Sequence, residues 1–427
     1  MLDINYIRDH AKKVKQACQV KNLNADVVDN LIDIDDQRRQ LIAQVQELRT
    51  QRNTLSKQLQ SGQKDEQLLQ QATEVKQQLQ DVEPRLRQIE ESFLELMLQI
   101  PNVPSEDVPA GDASKNKVIR TWGDKPEFDF QVLDHVDLAK KHDLIDFDRG
   151  SKVAGFRGYY LKNEAVLLQQ ALMNYALQKF VHKGYTPVIA PVINKRHAFI
   201  NSGHFPWGEK ETYRLQADEN DPQNDYFLAG TSEVPLVSLY AGETLKHNQL
   251  PIKLVGFTPC YRREIGNYGQ DTKGCYRVHE FFKIEQVVLC ANNLQESLRW
   301  HEDMLKYTEE VLQELNLHYR AVLMASGDMG EPQAKKYDLD VWMPGRDDFG
   351  EAASDSVMLD FQSRRANIRY QDKDNQTKFV HTLNNTVVAS PRLLIAILEN
   401  YQQADGSIKV PQVLVPFVGQ DTIGGEK

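Results

Sequence analysis

The segment CYRREIGNYGQDTKGCYRVHEFFKIEQ, residues 260–286, sets Arg262, Arg263, Lys273 and Arg277 beside Glu264, Glu285, His279 and the pair Phe281–Phe282. These types suit an anionic, planar ligand: arginine forks onto phosphate, an aromatic ring stacks on a base, and a carboxylate accepts hydrogen bonds from an amine. A sheet face laced with ion pairs is the competing reading. The G-x-x-x-x-G at 269–274 runs into Cys and Tyr rather than Lys and Ser/Thr, and there is no G-x-G-x-x-G, so any nucleotide here sits on neither a P-loop nor a dinucleotide fingerprint.

A second group lies in LNNTVVASPRLLIAILENYQQADG, residues 383–406. Ser390 and Pro391 read as N-cap and first helical residue, with Arg392 in the first turn. A cation there opposes the helix dipole by about 0.3–1 kcal/mol unless an anion lies between them. Helix N-terminus plus arginine is thus a place for phosphate, although an arginine swung into solvent would cost little.

Both groups need elements to aim them. Residues 260–286 read as a strand, a connection holding Gly266, Gly269 and Gly274, and an antiparallel return strand. Period-two alternation puts Arg262 and Glu264 on one face of the first strand and Arg277, His279, Phe281, Lys283 and Glu285 on one face of the second, with Tyr276, Val278, Phe282 and Ile284 on the core side. Extended stretches at 184–193, 250–262 and 276–290 alternate with helical patterns such as 163–183, so the body is mixed α and β.

Upstream the pattern changes. Leu31, Ile34, Arg38, Leu41, Val45, Leu48, Arg52, Leu55 and Leu59 alternate in steps of three and four, a heptad seam that returns from Leu68 to Ile100 after a polar turn at 61–67 containing Gly62. Two such helices fold back as an antiparallel hairpin roughly 45 Å long. Arg38 and Arg52 interrupt the seam, and Pro84 removes a backbone hydrogen bond where a kink is expected. By itself this pattern points to a dimerisation arm. The Pro-, Gly- and polar-rich stretch 101–117 reads as a linker.

Composition bounds the rest. The chain of 427 residues has a formal net charge of -10, so a polyanion must be met by local positive patches. Cys18, Cys260, Cys275 and Cys290 never form C-x-x-C, which gives neither a disulfide framework nor a zinc cluster. No apolar run is long enough to cross a bilayer and the N-terminus lacks a secretory stretch, so a cytoplasmic protein with no membrane partner is expected.

With these motifs in place the chain resembles the class II aminoacyl-tRNA synthetases, and within them the seryl-tRNA synthetase family. YRRE…RVHEFFKIE looks like motif 2, ASPRLLIAILENYQ like motif 3, and GYTPVIAPVI with Pro191 like motif 1. TSEVPL (231–236), DTKG (271–274) and YDLDVWMPG (337–345) match patterns of the seryl branch, and the likeness covers essentially the whole chain. The resemblance implies an α+β fold: an antiparallel-sheet catalytic domain over 121–427, a linker over 106–120, and an N-terminal tRNA-binding domain over 1–105 whose two-helix coiled-coil arm spans about 27–100.

It also implies a homodimeric ligase that joins L-serine to serine tRNA through seryl-adenylate, using ATP and Mg2+, with selenocysteine tRNA as a further candidate substrate. Carried over position by position, ATP would meet Arg262, Arg263, Glu264, Phe281, Glu351, Ala352, Ala353, Ser354 and Arg392, with Arg262 and Arg392 catalytic. Serine would meet Thr231, Ser232, Glu233, Arg262, Glu285 and Thr386, and Mg2+ would meet Glu351 and Ser354. Arg39, Arg49 and Lys57 are candidate tRNA contacts. Departures are visible: Asn385, Thr386, Val387 and Pro391 stand where many bacterial members have Gly, Ser, Gly and Gly, and Ser354–Val357 reads S-D-S-V where S-C-S-N is frequent. Rival readings are a paralogue that adenylates an amino acid for a carrier protein and a non-catalytic coiled-coil adaptor.

Overall fold

A computed structural model describes residues 1–60, 66–216, 225–265 and 273–424, which form two compact units, Met1–Pro101 and Asn102–Lys427. The proposed turn with Gly62, and Gly266 and Gly269 of the motif 2 connection, lie outside the described residues.

In the first unit, short helices α1 (Ile4–Asp9) and α2 (Ala11–Val20) precede α3 (Asp26–Gln60) and α4 (Glu66–Leu98). The heptad positions Val45, Leu48, Val75, Leu79 and Val82 form the apolar seam, flanked by Leu41, Leu55 and Leu86. Cross-pairs run in opposite directions along the two helices: Arg38 lies over the Phe93 ring at 4.3 Å and Arg49 meets Glu83 at 2.8 Å, so the hairpin is antiparallel. Two of the three expected disturbances, Arg38 and Pro84, are accommodated by their surroundings. Arg38 is absorbed by Phe93 and by Asp35, 2.7 Å away, and α4 runs unbroken through Pro84. Packing of Leu79, Val82 and Leu86 on either side of the proline holds the helix where its own hydrogen bond is missing.

The second unit is built on eight strands: β1 (Lys117–Trp122), β2 (Thr186–Val188), β3 (Ile252–Tyr261), β4 (Glu280–Cys290), β5 (Tyr319–Leu323), β6 (Lys335–Met343), β7 (Asp348–Leu359) and β8 (His381–Ala389). They lie in the order β1-β5-β6-β7-β8-β4-β3-β2, antiparallel throughout except for β2 on β3 at one edge. Helices α5 (Asn163–His182), α6 (Arg196–Ser202), α7 (Glu233–Ser238), α8 (Leu294–Glu314) and α9 (Ser390–Asn400) complete the parts that matter below. Apolar residues of α5, α8 and α9 share one core with the central strands. β4 is rich in β-branched and aromatic residues; β8 and β3 pair with its two edges, and its side chains are buried on both faces along most of its length.

Several expectations shift. The stretch read as a linker is bonded into the second unit: Asn102 N–H donates to Glu331 O (2.9 Å), Ser105 N–H to Ala334 O (2.8 Å), and β1 pairs with β5. The return strand begins at Glu280, so Arg277 and His279 precede it. Ser390 is the first residue of α9 and Ala389 the cap; the Ser390 hydroxyl is drawn instead to the Phe282 N–H at 3.1 Å, because β4 ends its pairing beside the helix start.

Candidate active site

Two cavities meet in the second unit. One is lined by Arg262, Glu264, Phe281, Glu351, Ala352, Ser354, Thr386 and Arg392, among others. The neighbouring one is lined by His204, Gly230 and Thr231 and shares Arg262 and Glu264 with the first. Arg262 leaves the end of β3 and Arg392 the first turn of α9, so an arginine beside a hairpin and one at a helix start converge on a single space.

Local geometry explains the aim of each group. Glu351 and Ser354, three residues apart, would fall on opposite faces of a regular strand. A register shift in β7 pairs Asp340 with Glu351 and Asp338 with Ser354, which turns both side chains to the cavity face. A carboxylate and a hydroxyl there are hard oxygen donors of the kind Mg2+ takes, with room left for phosphate oxygens and water. Among the described residues no cluster of three or more His, Cys, Asp or Glu is arranged to hold a metal by itself. Glu264 stands in the left-handed region at φ 52 and lies 3.6 Å from both Arg157 and Arg277.

Charge in the first cavity is tightly paired. Arg392 Nη1 lies 3.1 Å from Glu351 Oε1 and donates to the Glu351 main-chain oxygen at 3.1 Å. Burial alone would raise the Glu351 carboxyl, but Arg392, Lys336 and Arg262 override it and hold it down to about 2. Two guanidinium groups approach the Tyr276 ring, Arg392 at 4.9 Å and Arg346 at 5.1 Å from its centroid, and its hydroxyl donates to Glu351 O. Arg262 donates through Nε to Gly230 O at 3.1 Å and lies 5.4 Å from the Phe281 ring centroid.

Deeper in, Lys283 and Glu285 project from β4 and are almost wholly buried, at 3% and 0% exposure, so this face is no solvated ion-pair lattice. Lys283 Nζ is 2.8 Å from Glu285 Oε2 and donates to Thr231 Oγ1 at 2.6 Å and Thr386 Oγ1 at 3.3 Å. The Thr231 hydroxyl donates in turn to Glu285. Burial pushes the Glu285 carboxyl up, yet Lys283 and these hydrogen bonds bring it below its ordinary value. Glu233, at 6% exposure, accepts from Gln362 Nε2 at 2.6 Å and Asn384 Nδ2 at 3.2 Å, and burial together with nearby Glu285 raises it to about 8.

Not every predicted residue reaches a cavity. Arg263 is exposed and donates to Lys210 O at 3.1 Å. Ala353 is buried at 1% and lies outside the lining that holds Ala352 and Ser354. Ser232 is fully buried with its side chain against Gly256, where a Cβ would come within 2.7 Å of it, so only its backbone could face a ligand. Arg39 and Arg49 lie on the arm in ion pairs with Asp35 (2.8 Å) and Glu83 (2.8 Å), and Lys57 is in the last turn of α3.

Sequence reasoning left out Lys283 as a ligand organiser, Asn384, Gln362, His204 and Tyr276. Asn384 was findable, since it stands two positions from Thr386 on one strand and so shares its face. The departures also sort by face. Asn385 pairs in register with Asp355 and donates to Gln286 Oε1, Met304 O and Thr308 Oγ1, so both substituents fill the α8 side of the sheet, away from the cavity. Val387 is fully buried, and of the unusual residues only Thr386 and Pro391 line the cavity.

Comparison with known proteins agrees with this geometry. Residues 1–104 match the seryl-tRNA synthetase N-terminal domain, and residues 213–401 match the tRNA synthetase class II core domain (G, H, P, S and T). The serine–tRNA ligase of Deinococcus radiodurans is 39% identical over 429 residues, covering 100% of this chain and 99% of the relative; that of Pseudothermotoga lettingae is 41% identical over 432 residues, covering 99% and 100%. The seryl-tRNA synthetase of Pyrococcus horikoshii, solved with ATP, superposes with a TM-score of 0.91 at 34% identity over the full length of both chains. The cytoplasmic serine-tRNA ligase of Naegleria fowleri, solved with AMP, gives 0.87 at 30% identity, covering 100% of this chain and 99% of that one. Identity at this level, sustained from the helical arm to the last helix, makes the chain a member of the seryl-tRNA synthetase family.

Proposed function

We propose that this protein activates L-serine with ATP and transfers the seryl group to serine tRNA. The observation that carries the reading is the shared cavity of Arg262 and Arg392. In the first step a serine carboxylate oxygen attacks the α-phosphorus and the bond to pyrophosphate breaks. In the second the terminal ribose hydroxyl of the tRNA attacks the seryl carbonyl and AMP leaves. Serine's carboxylate is already ionised at neutral pH, so the first step needs no general base; its barrier lies in alignment and in charge gathering on phosphate.

Arg262, placed at the join of the two cavities, holds the α-phosphate and the serine carboxylate together. Glu264 accepts from the adenine amine, Phe281 stacks on one face of the ring, and Arg392 approaches the other face and the γ-phosphate. Ala352 gives the floor of the site room for the nucleotide. Glu351 and Ser354 hold Mg2+, which when bound offsets the charge of the triphosphate. Thr231, Glu233, Glu285 and Thr386, organised by Lys283, receive serine, with Ser232 contributing only main-chain atoms.

The hairpin of α3 and α4 serves as a rigid arm for the tRNA, read by shape and phosphate contacts, with Arg39, Arg49 and Lys57 as contacts. Two copies associate through the motif 1 region, where Ile189 (82%), Ile193 (53%) and Val181 (42%) are exposed apolar side chains. No helix among the described residues is long and apolar enough to cross a membrane, and we place the enzyme in the cytoplasm with its tRNA. Pyrophosphate exchange into ATP, scanned across the amino acids, tests the reading: exchange with serine above all others is expected, and none with serine would sink it.

A further inference from the structure

The loop after α6 brings a histidine to the serine side of the site. Gly203 ends α6 in the left-handed region at φ 83, and His204 follows, half-buried, in the wall of the cavity that also holds Thr231 and Arg262. Its hydrogen-bond partners bear on which ring nitrogen carries the proton. The fully buried Ser202 Oγ lies 3.2 Å from Phe199 O and 2.9 Å from His204 Nδ1. Since a hydroxyl has one proton and a carbonyl can only accept, both contacts are hydrogen bonds together only when Ser202 donates to Phe199 O and accepts from His204 Nδ1–H. In the neutral imidazole Nε2 is then a bare acceptor. Burial, reinforced by Arg262, holds the His204 pKa down to about 4, which keeps the ring neutral.

That nitrogen faces Glu233 Oε2 across 3.9 Å, beyond hydrogen-bonding range. The same carboxyl, raised to about 8, is an acid at neutral pH and offers a proton. Its other contacts are donors already placed: Gln362 Nε2 on Oε1 and Asn384 Nδ2 on Oε2. A proton donor and a bare acceptor therefore face each other over a gap that one oxygen, about 2.8 Å from each, would close. A hydroxyl is the group that can accept from one and donate to the other.

We infer that His204 is a further specificity-determining residue, accepting the hydroxyl proton of bound serine at Nε2 while Glu233 holds the hydroxyl oxygen. The inference rests on the serine-activating function proposed above. Alanine has no oxygen to fill the gap and leaves both groups without that partner, and a site built to hydrogen-bond a substrate hydroxyl discriminates against the analogue that lacks it.

The test measures serine-dependent pyrophosphate exchange, with KM for serine and for ATP taken separately, in the wild type, His204→Ala and His204→Gln. Loss of one hydrogen bond of this kind should raise the serine KM of His204→Ala roughly 10- to 100-fold while the ATP KM stays within about twofold. His204→Gln, whose amide oxygen can take the place of Nε2, should recover part of the loss. The same variants should show a reduced preference for serine over alanine. An unchanged serine KM in His204→Ala, or equal losses for serine and ATP, overturns the assignment. If thermal melting shows that His204→Ala does not fold, His204→Gln decides: a serine KM between about 2- and 20-fold above wild type with normal ATP KM supports the role, and any other pattern overturns it. Wild-type protein that exchanges with no serine at all would sink the parent reading, whereas normal wild-type exchange with an indifferent His204→Ala sinks only this one.

Discussion

Charge is used differently in the helical arm and in the sheet cavity. On the arm, Asp35 is fully buried and gathers three arginines, Arg8 at 3.1 Å, Arg38 at 2.7 Å and Arg39 at 2.8 Å, while pairs such as Arg49–Glu83 lie out in solvent. In the cavity, Arg392 holds the partly exposed Glu351, and the buried Lys283 holds Glu285, Thr231 and Thr386. The arm's pairs fix a shape. Those of the cavity keep a field aimed at a place where substrate charge will arrive, and a buried pair broken on one side is costly.

The largest break in that comparison comes from the cavity. Arg392→Ala should cut serine-dependent pyrophosphate exchange by roughly a thousandfold with the fold intact by circular dichroism, the scale seen when a charge-stabilising group is removed. Normal exchange in that variant would remove Arg392 from the chemistry. Deleting the hairpin over residues 27–100 should spare exchange and cripple charging of serine tRNA; equal loss of both would dissolve the division of labour between arm and sheet.

A third intervention acts on stability. Lys283→Met leaves Glu285 buried without its cation and should cost about 3–5 kcal/mol, read as a fall in melting temperature. Adding Glu285→Leu should restore much of it, because the penalty comes from the stranded charge; additive losses in the double variant would show that the pair is not coupled.

A smaller effect follows from Glu233. Its folded pKa, about 8, lies above the ordinary 4.5, so the folded state holds a proton that the unfolded chain gives up. The stability this contributes is complete below about pH 4.5 and is lost as pH rises through 8. Over that window the wild type should lose more melting temperature than Glu233→Gln, which cannot titrate. Parallel curves would mean that the carboxyl is ionised in the folded protein.

How much of this could be read in advance depended on whether one periodicity carried it. The seam of α3 and α4 repeats often enough that Val45, Leu48, Val75, Leu79 and Val82 identify themselves. Motif order likewise brought Arg262, Glu264, Phe281, Glu351 and Arg392 to attention. What stayed hidden depends on singular events. The register shift that turns Glu351 and Ser354 to one face leaves no mark in the residue types. Alternation put Lys283 and Glu285 on a common face but could not show that burial closes them onto Thr231. His204 lies in a loop, where no period exists, and the hydrogen-bond partner of its Nδ1 is Ser202, two residues away.

The smallest expected effect lies on the arm and tests its side of the comparison. Arg49 and Glu83 are both substantially exposed, 55% and 31%, so water already serves each of them and the pair adds little to folding. Arg49→Ala should leave the melting temperature where it is. If Arg49 meets a tRNA phosphate, the same change should weaken tRNA binding and make the log–log salt dependence of that binding shallower by about one unit, because one fewer counterion is released. Exchange without tRNA should be untouched. A variant that melts early but binds tRNA with an unaltered salt slope would mean that this arginine braces the hairpin, and the contrast drawn between bracing charges and receiving charges would then hold within the arm as well as between arm and cavity.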